Sequence, residues 1–367
     1  MVSSRGAKLG VIFSMVLTLV GLGTTGVAHG AFLGCGDIIS QSVTLDGDVG
    51  PCANFGIIIG ANNITLDLNG YEILGTPARG DKVGIYFQRV TGSTVKNGGV
   101  SNFDVGVLIE GGSANTVTNV AAVNNQGGGA GTFGGDGIAI TSSTNNRVIG
   151  NKAANNGPYS GIGLYSLVDS AHPRTVTGRS TGNLIENNDV LDNFAPRPGG
   201  GPESTDNDGI RVENQSTDNT FRGNRVSGSG LDGIALFADS GNNLVQGNFV
   251  QNNGFFRTAI RRGNGIVSFN RANGNRIEGN YVTNNADNGI VIQGPLGNIP
   301  GSLNNQVLYN TSVGNSARPP LATTAPAFIG PTFDLQDRNP NCDNNLWFGN
   351  RYRTANPPCT TTGGQQV

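Results

Sequence analysis

An all-β fold, a parallel β-helix of about nine or ten stacked coils capped at both ends, is predicted by three features of the sequence. The first is a recurring phrase: Asn, any residue, a bulky apolar residue, any residue, Gly or Asn, then Asn. It occurs at 146–151, 183–188, 219–224, 243–248, 275–280 and 345–350, with a weaker copy at 305–310. The second is Asp, Asn or Ser followed by Gly-Ile, with its glycine at Gly137, Gly161, Gly209, Gly233, Gly265 and Gly289. The third is the step: Gly137 to Gly161, Gly209 to Gly233 and Gly265 to Gly289 are each 24 residues, and Gly84 to Gly106 is 22. Self-similarity at this period marks a solenoid.

The Gly-Ile phrase continues in alternation, as in Ile210, Val212 and Ile234, Leu236, which places one set of side chains inward and the other outward on a strand. The Asn phrase reads as two strands joined by a tight bend, because Gly-Asn and Asn-Asn pairs tolerate the left-handed backbone that such a bend needs. One interior column is predicted from Val148, Ile185, Phe221, Val245, Ile277, Val307 and Trp347. A second follows from Ile138, Ile162, Ile210, Ile234, Ile266 and Ile290.

These columns account for a composition of 59 glycines, 36% hydrophobic and 7% aromatic residues in 367. Disorder is excluded because the apolar residues are periodic and the charge is neither dense nor of one sign. Asn151, Asn188, Asn224, Asn248, Asn280, Asn310 and Asn350 are expected to stack at one bend, each amide bonding the next, in preference to serving as ligands.

Residues 1–30 have the three parts of a secretory signal peptide: Arg5 and Lys8, an apolar run from about Leu9 to Leu22, and small residues around Ala28 to Ala31. The apolar run falls short of the roughly 20 residues of a membrane span. Residues 31–359 form the predicted β-helix domain, and 360–367 a polar, disordered tail. Local pairing of Cys35 with Cys52 and of Cys342 with Cys359 fits an oxidising compartment and staples the terminal coils, which lack a neighbour on one side. A four-cysteine zinc site would need Cys-x-x-Cys spacing, which is absent.

With both phrases placed between about Cys35 and Cys359, the chain resembles the right-handed parallel β-helix (pectin-lyase-like) superfamily, which includes pectate lyases, polygalacturonases and alginate epimerases. The resemblance implies right-handed coiling and a binding groove along the Gly-Ile strands. Long insertions precede that strand at 124–135, 193–207 and 252–263, and another follows it at 166–182, whereas the Gly-Asn bends never lengthen. The Gly-His-Gly, Arg-x-Lys and Asp-Pro-His-Asp segments of the catalytic families are absent. A copper-handling branch of these proteins is a poor match: Met1 and Met15 both lie in the signal segment, and His172, in a loop, is the one histidine beyond it.

The outward positions of the Gly-Ile strands carry the candidate chemistry. Tyr165, Phe237 and Phe269 would stack on sugar rings, while Arg211 would grip a carboxylate and Glu213 stands beside it. Asp136, Asp208 and Asp232 stand at the mouth of these strands, the last two in equivalent positions one coil apart and so ~5 Å from each other in regular stacking. Such a pair suits a retaining glycosidase. With Asp206 it would instead hold calcium, a hard cation that takes oxygen ligands. It is also ordinary turn chemistry, since Asn264 and Asn288 fill the same slot without charge. The cationic stretch 257–271, with Arg257, Arg261, Arg262 and Arg271, would meet a polyanionic glycan or solvent. Nucleic acid is disfavoured by export and a net charge of -2.

Three functions follow: a secreted module binding an extracellular polysaccharide along the Gly-Ile face, with no cofactor required; a polysaccharide lyase, C5-epimerase or glycoside hydrolase on that face, with Asp208, Asp232, Arg211 and Glu213 as catalytic candidates; or a structural or adhesive surface rod.

Overall fold

A computed structural model describes residues 28–29, 33–76, 82–127, 134–168, 176–194, 207–254, 263–317 and 331–367. Most of the expected signal segment, Asp206, His172, Arg257, Arg261, Arg262 and most of the Pro- and Ala-rich stretch 316–331 lie outside these residues. Parallel strands stack coil upon coil. The Gly-Ile phrases contribute to a sheet of twelve strands, running from Asp37–Ile39 through Ser160–Tyr165, Asp208–Glu213, Ile234–Leu236 and Ile266–Ser268 to Ala355–Asn356. Twelve exceeds the nine or ten coils expected. The first strands, Asp37–Ile39 and Ile57–Ile59, and the last, Ala355–Asn356, lack the full Asp-, Asn- or Ser-Gly-Ile phrase and so fall outside the visible repeat.

Each Asn phrase supplies two strands, such as Arg147–Ile149 with Lys152–Ala154 and Leu184–Glu186 with Asp189–Leu191, joined at the bend. The bend residue has positive φ in every copy: Gly150 (65°), Asn187 (54°), Gly223 (64°), Gly247 (62°), Gly279 (63°), Tyr309 (54°) and Gly349 (68°). Glycine and asparagine enter this region readily, whereas a bulky residue there is an outlier. The glycine of the Gly-Ile phrase has a different cause, a close approach between coils. A Cβ on Gly209 would lie 2.3 Å from Val226 Cγ1 and 2.6 Å from the Gly233 carbonyl oxygen.

Both predicted interior columns are present. Val148, Ile185, Phe221, Val245, Ile277, Val307 and Trp347 pair in unbroken register, as do Ile138, Ile162, Ile210, Ile234, Ile266 and Ile290, and all are buried. The column works because each inward residue meets its counterpart in the coils before and after, so a thin coil still buries a continuous core.

The asparagines form three ladders where one was expected. In the expected ladder, the Asn151 backbone N–H and Nδ2 both donate to Asn188 Oδ1, at 2.9 and 3.0 Å, while Nδ2 also donates to the Val117 carbonyl at 2.9 Å. The pattern repeats through Asn224, Asn248, Asn280 and Asn310 to Asn350. A second ladder joins the first asparagines of the phrases, from Asn115 through Asn146, Asn183, Asn219, Asn243, Asn275 and Asn305 to Asn345. The third runs Asn125, Asn156, Asn193, and, after Ser229, resumes through Asn253, Asn285 and Asn315 to Asp334. Each rung satisfies buried backbone groups at a bend where strand pairing lapses.

Cys35–Cys52 and Cys342–Cys359 are disulfide-bonded, as expected. The tail does not follow expectation: Gln365–Gln366 pairs in parallel with Arg351–Tyr352, so 360–367 adds a strand to the last coil, where the backbone groups of Arg351–Tyr352 would otherwise face an open edge. At the other end Ala28–His29 pairs with Val43–Thr44. No helix among the described residues is long and apolar enough to cross a membrane.

Candidate functional site

The outward side chains of the Gly-Ile sheet are largely withdrawn from solvent. Ala139, Ala235, Val267 and Val291 are buried in small apolar clusters, with Tyr165 and Phe269 packed against them. Among the buried positions is Arg211, 6% exposed. Its Nη1 donates to Asp208 Oδ2 at 2.7 Å and its Nε to Glu213 Oε2 at 2.8 Å, and its guanidinium carbon lies 4.8 Å from the centre of the Phe237 ring. The fork expected to grip a ligand's carboxylate thus grips two of the protein's own, because Asp208 and Glu213 flank it on the same strand. Phe237 and Phe269, on adjacent coils, form a tilted pair with ring centres 4.8 Å apart, both partly exposed.

At the mouth of these strands a fourth row of hydrogen bonds runs through the slots of the Asp-Gly and Asn-Gly phrases. The Asp232 backbone N–H donates to Asp208 Oδ1 at 3.0 Å. Asn264 donates its backbone N–H and Nδ2 to Asp232 Oδ1 at 2.7 and 2.8 Å. Asn288 donates in turn to Asn264 Oδ1, and Phe333 N–H to Asn288 Oδ1. The turn-chemistry reading therefore holds for the slot as a whole. It does not explain the charge at Asp232, since asparagine serves in the next two coils, and Asp232 Oδ2 accepts no hydrogen bond from a described residue.

Asp136, further along the same sheet, accepts from the Ser160 hydroxyl and, at 2.9 Å, from the Tyr165 hydroxyl. Burial pushes the Asp136 carboxyl up to about 6, against these hydrogen bonds and the Arg211 charge. Burial pushes Asp232 up to about 7, against the Asn264 hydrogen bonds and Arg211, with the charge of Asp287 adding to the rise. Tyr165 is raised by burial and then by Asp136. Asp136, Tyr165, Asp208, Arg211 and Asp232 thus belong to one electrostatic cluster; the sequence puts them on one face without showing their burial.

Among the described residues no three His, Cys, Asp or Glu side chains converge in a way that would hold a metal ion. Asp208 gives one oxygen to Arg211 and the other to the Asp232 amide. Of the basic stretch, Arg271 is bound through Nε and Nη2 by the Asp239 carboxylate, which neutralises it.

The family model described as the right handed beta helix region matches residues 52–250 and 176–356. With this coverage the chain belongs to the right-handed parallel β-helix proteins of the pectin-lyase-like type. Among solved structures, the Dettilon tailspike protein gp208 superposes with a TM-score of 0.56 at 17% identity, over 87% of this chain and 55% of that one. A variant of the periplasmic alginate epimerase AlgG gives 0.51 at 13% identity, over 78% of this chain and 68% of that one. Another structure of AlgG is covered over 59% of its length. This chain thus spans between about half and two thirds of these relatives, and the likeness is one of fold. No curated protein matches it in sequence.

Proposed function

We propose that this is an exported protein that binds an extracellular polysaccharide at the Gly-Ile sheet, around Phe237, Phe269, Glu213 and Asp232. The observation that carries this reading is the partly exposed Phe237–Phe269 pair beside groups able to bond hydroxyls, the mix of apolar surface and few polar groups typical of ligand sites. Two disulfides fit an oxidising, extracytoplasmic compartment. The solved relatives named for an alginate epimerase and a tailspike accord with a glycan partner. The charge favours a neutral glycan over an acidic one: Arg211 is already held by Asp208 and Glu213, and Asp136 and Asp232 add further carboxyls.

A second reading, acid–base catalysis on the same glycan, is favoured by Asp232. A carboxyl raised to about 7, with one oxygen that accepts no hydrogen bond from a described residue, can deliver or take a proton near neutrality. Asp136, raised to about 6, is 2% exposed and lies three coils away, too far from Asp232 to share the reaction. For a neutral glycan the reaction class is hydrolysis, because lyases and epimerases act on uronic acids.

The test is depletion of the purified protein onto insoluble neutral glycans and onto pectin and alginate, with and without calcium, while reducing ends and unsaturated uronides are followed. Binding lost in Phe237→Ala supports the module. New reducing ends that vanish in Asp232→Asn establish the hydrolase. Retention of every glycan by Phe237→Ala at the wild-type level removes the Gly-Ile face from consideration.

A further inference from the structure

The bend of the Asn phrase has a second anomaly besides its ladders. Seven copies place Gly, Asn or, once, Tyr at the positive-φ position, and the exception, Tyr309, is 55% exposed, the most exposed aromatic among the described residues. A bulky side chain kept where glycine is the rule points to a use for that side chain. Tyr309 does not stand alone. Phe249 (38% exposed) and Tyr281 (40%) pair in register just after the bend, in a row that continues at Thr311 and Arg351, and Phe348 (41%) pairs with Leu308 just before it, so the four rings straddle the bend on four successive coils.

These rings are held in place. Phe249 and Tyr281 stack with centres 5.0 Å apart and planes at 4°. Tyr309 and Phe348 meet edge to face at 5.8 Å. The Tyr309 ring lies over Gly349, where a Cβ would come within 2.5 Å of it, and Phe348 lies against Gly363, where a Cβ would come within 2.6 Å. Beside them Arg276 pairs with Glu278 at 2.6 Å and donates to Gln306, presenting planar polar groups at the surface. In the other direction the strand register carries the same outward row from Phe249 back through Arg225, Asp189 and Lys152 to Ala121. There it reaches a concavity of about 390 Å³ whose lining includes Gly98, Ala121, Asn97, Asn119, Lys152 and Asp189.

We propose that this bend edge is a second glycan-binding surface, separate from the Gly-Ile sheet, in which Tyr309 and Phe348, which meet edge to face, take a sugar ring of a neutral polysaccharide, flanked by the stacked pair of Tyr281 and Phe249. Rings that are apolar on the face and bordered by amides, an Arg-Glu pair and balanced Lys and Asp charges match the faces and hydroxyls of a sugar. Coils are ~4.8 Å apart, so the aromatic strip is long and narrow. A protein partner would need about 1,000 Å² of complementary surface, whereas the row of Phe249 and Tyr281 gives way to Arg225 on one side and to Thr311 and Arg351 on the other. This second surface is independent of any ligand at the Gly-Ile face.

The experiment measures binding isotherms of the full chain on cellulose, chitin and xylan for the wild type, Tyr309→Gly, Tyr281→Ala and Phe237→Ala, with melting temperatures and sedimentation velocity alongside. Tyr309→Gly puts the residue preferred at this φ in place, so its fold is retained and its melting temperature equals or exceeds the wild type's. Both Tyr309→Gly and Tyr281→Ala are expected to weaken binding to the same glycan at least about tenfold. Phe237→Ala perturbs the other face, so its isotherm separates binding at the Gly-Ile sheet from binding at the bend edge. Wild-type isotherms for Tyr309→Gly, or no binding to any of the three by the wild type, overturn the proposal. So does a wild-type dimer that Tyr309→Gly dissociates without change in glycan binding, which makes the strip a contact between copies.

Discussion

Asp232 donates its backbone N–H to Asp208 Oδ1 across one coil boundary at 3.0 Å, with the later coil donating to the earlier. Asn264 and Asn288 continue in that sense, whereas in the three Asn ladders the earlier coil donates to the later, as from Asn151 to Asn188. Asp208 is therefore the acceptor end of its row, secured by Arg211, while Asp232 stands in mid-row, where an amide suffices.

Arg211 is expected to be a structural as much as a functional residue. Arg211→Ala would leave the Asp208 carboxylate, 2% exposed, without its ion pair, at a cost of roughly 3–5 kcal/mol. Asp208→Asn in that background should recover much of the loss, because the acceptor for Asp232 survives and the buried charge is gone. Urea unfolding of the two variants checks this. A fully stable Arg211→Ala would contradict the assignment.

Stability should fall as pH rises from about 4 to about 7. The Asp136 and Asp232 carboxyls titrate at about 6 and about 7 in the folded chain, above the ordinary 3.8. The folded state then holds these protons more tightly than the unfolded one. Their contribution is fully present below the unfolded value and is lost as pH passes through the folded value. For Asp136 the effect is on the order of 3 kcal/mol. Melting temperatures between pH 4.5 and 8 should therefore decline less in Asp136→Asn and Asp232→Asn than in the wild type.

Ser229 interrupts the third ladder between Asn193 and Asn253. Its hydroxyl is buried without a hydrogen-bond partner among the described residues, although its backbone N–H reaches Asn253 Oδ1 at 3.0 Å. Glycine faces this slot at Gly209 as it does at Gly161 and Gly233, beside Asn193 and Asn253, so an amide fits. Ser229→Asn is expected to supply the missing rung and stabilise the protein by about 1–2 kcal/mol, read as an increased urea midpoint.

Removal of the second disulfide should act locally. Cys342→Ala with Cys359→Ala opens a loop of 17 residues, a constraint worth roughly 3 kcal/mol. Hydrogen exchange should accelerate first in Ala355–Asn356 and Gln365–Gln366, with the coils around Ile185 unaffected.

The interior columns and the expected Asn ladder are legible in the sequence because each depends on a residue type returning at one position of every coil. The other two ladders are legible in principle through a five-residue step, Asn146, Asn151, Asn156 and again Asn275, Asn280, Asn285. The bend considered alone does not reveal that step. The burial of Arg211 is not legible, since alternation tells inward from outward but not what lies over the outward side. The ordered tail escapes the sequence because a polar composition says nothing about an adjacent strand edge in need of a partner.

The ladders also give the molecule a chemical direction. Three chains of hydrogen bonds end in a carboxylate at the acceptor end: one at Asp208, one at Asp334, and one at Asp337, which accepts from Asn345. An anion there takes more than one donor, as Asp334 does from Asn315, Arg353 and Thr354. The series is thereby terminated rather than left to recruit another amide. A coil spliced in between Asn188 and Asn224 would find matching neighbours above and below, whereas at Asp334 the following coil, through the backbone N–H groups of Arg353 and Thr354, already fills the carboxylate. Lengthening by internal duplication is thus open to this chain.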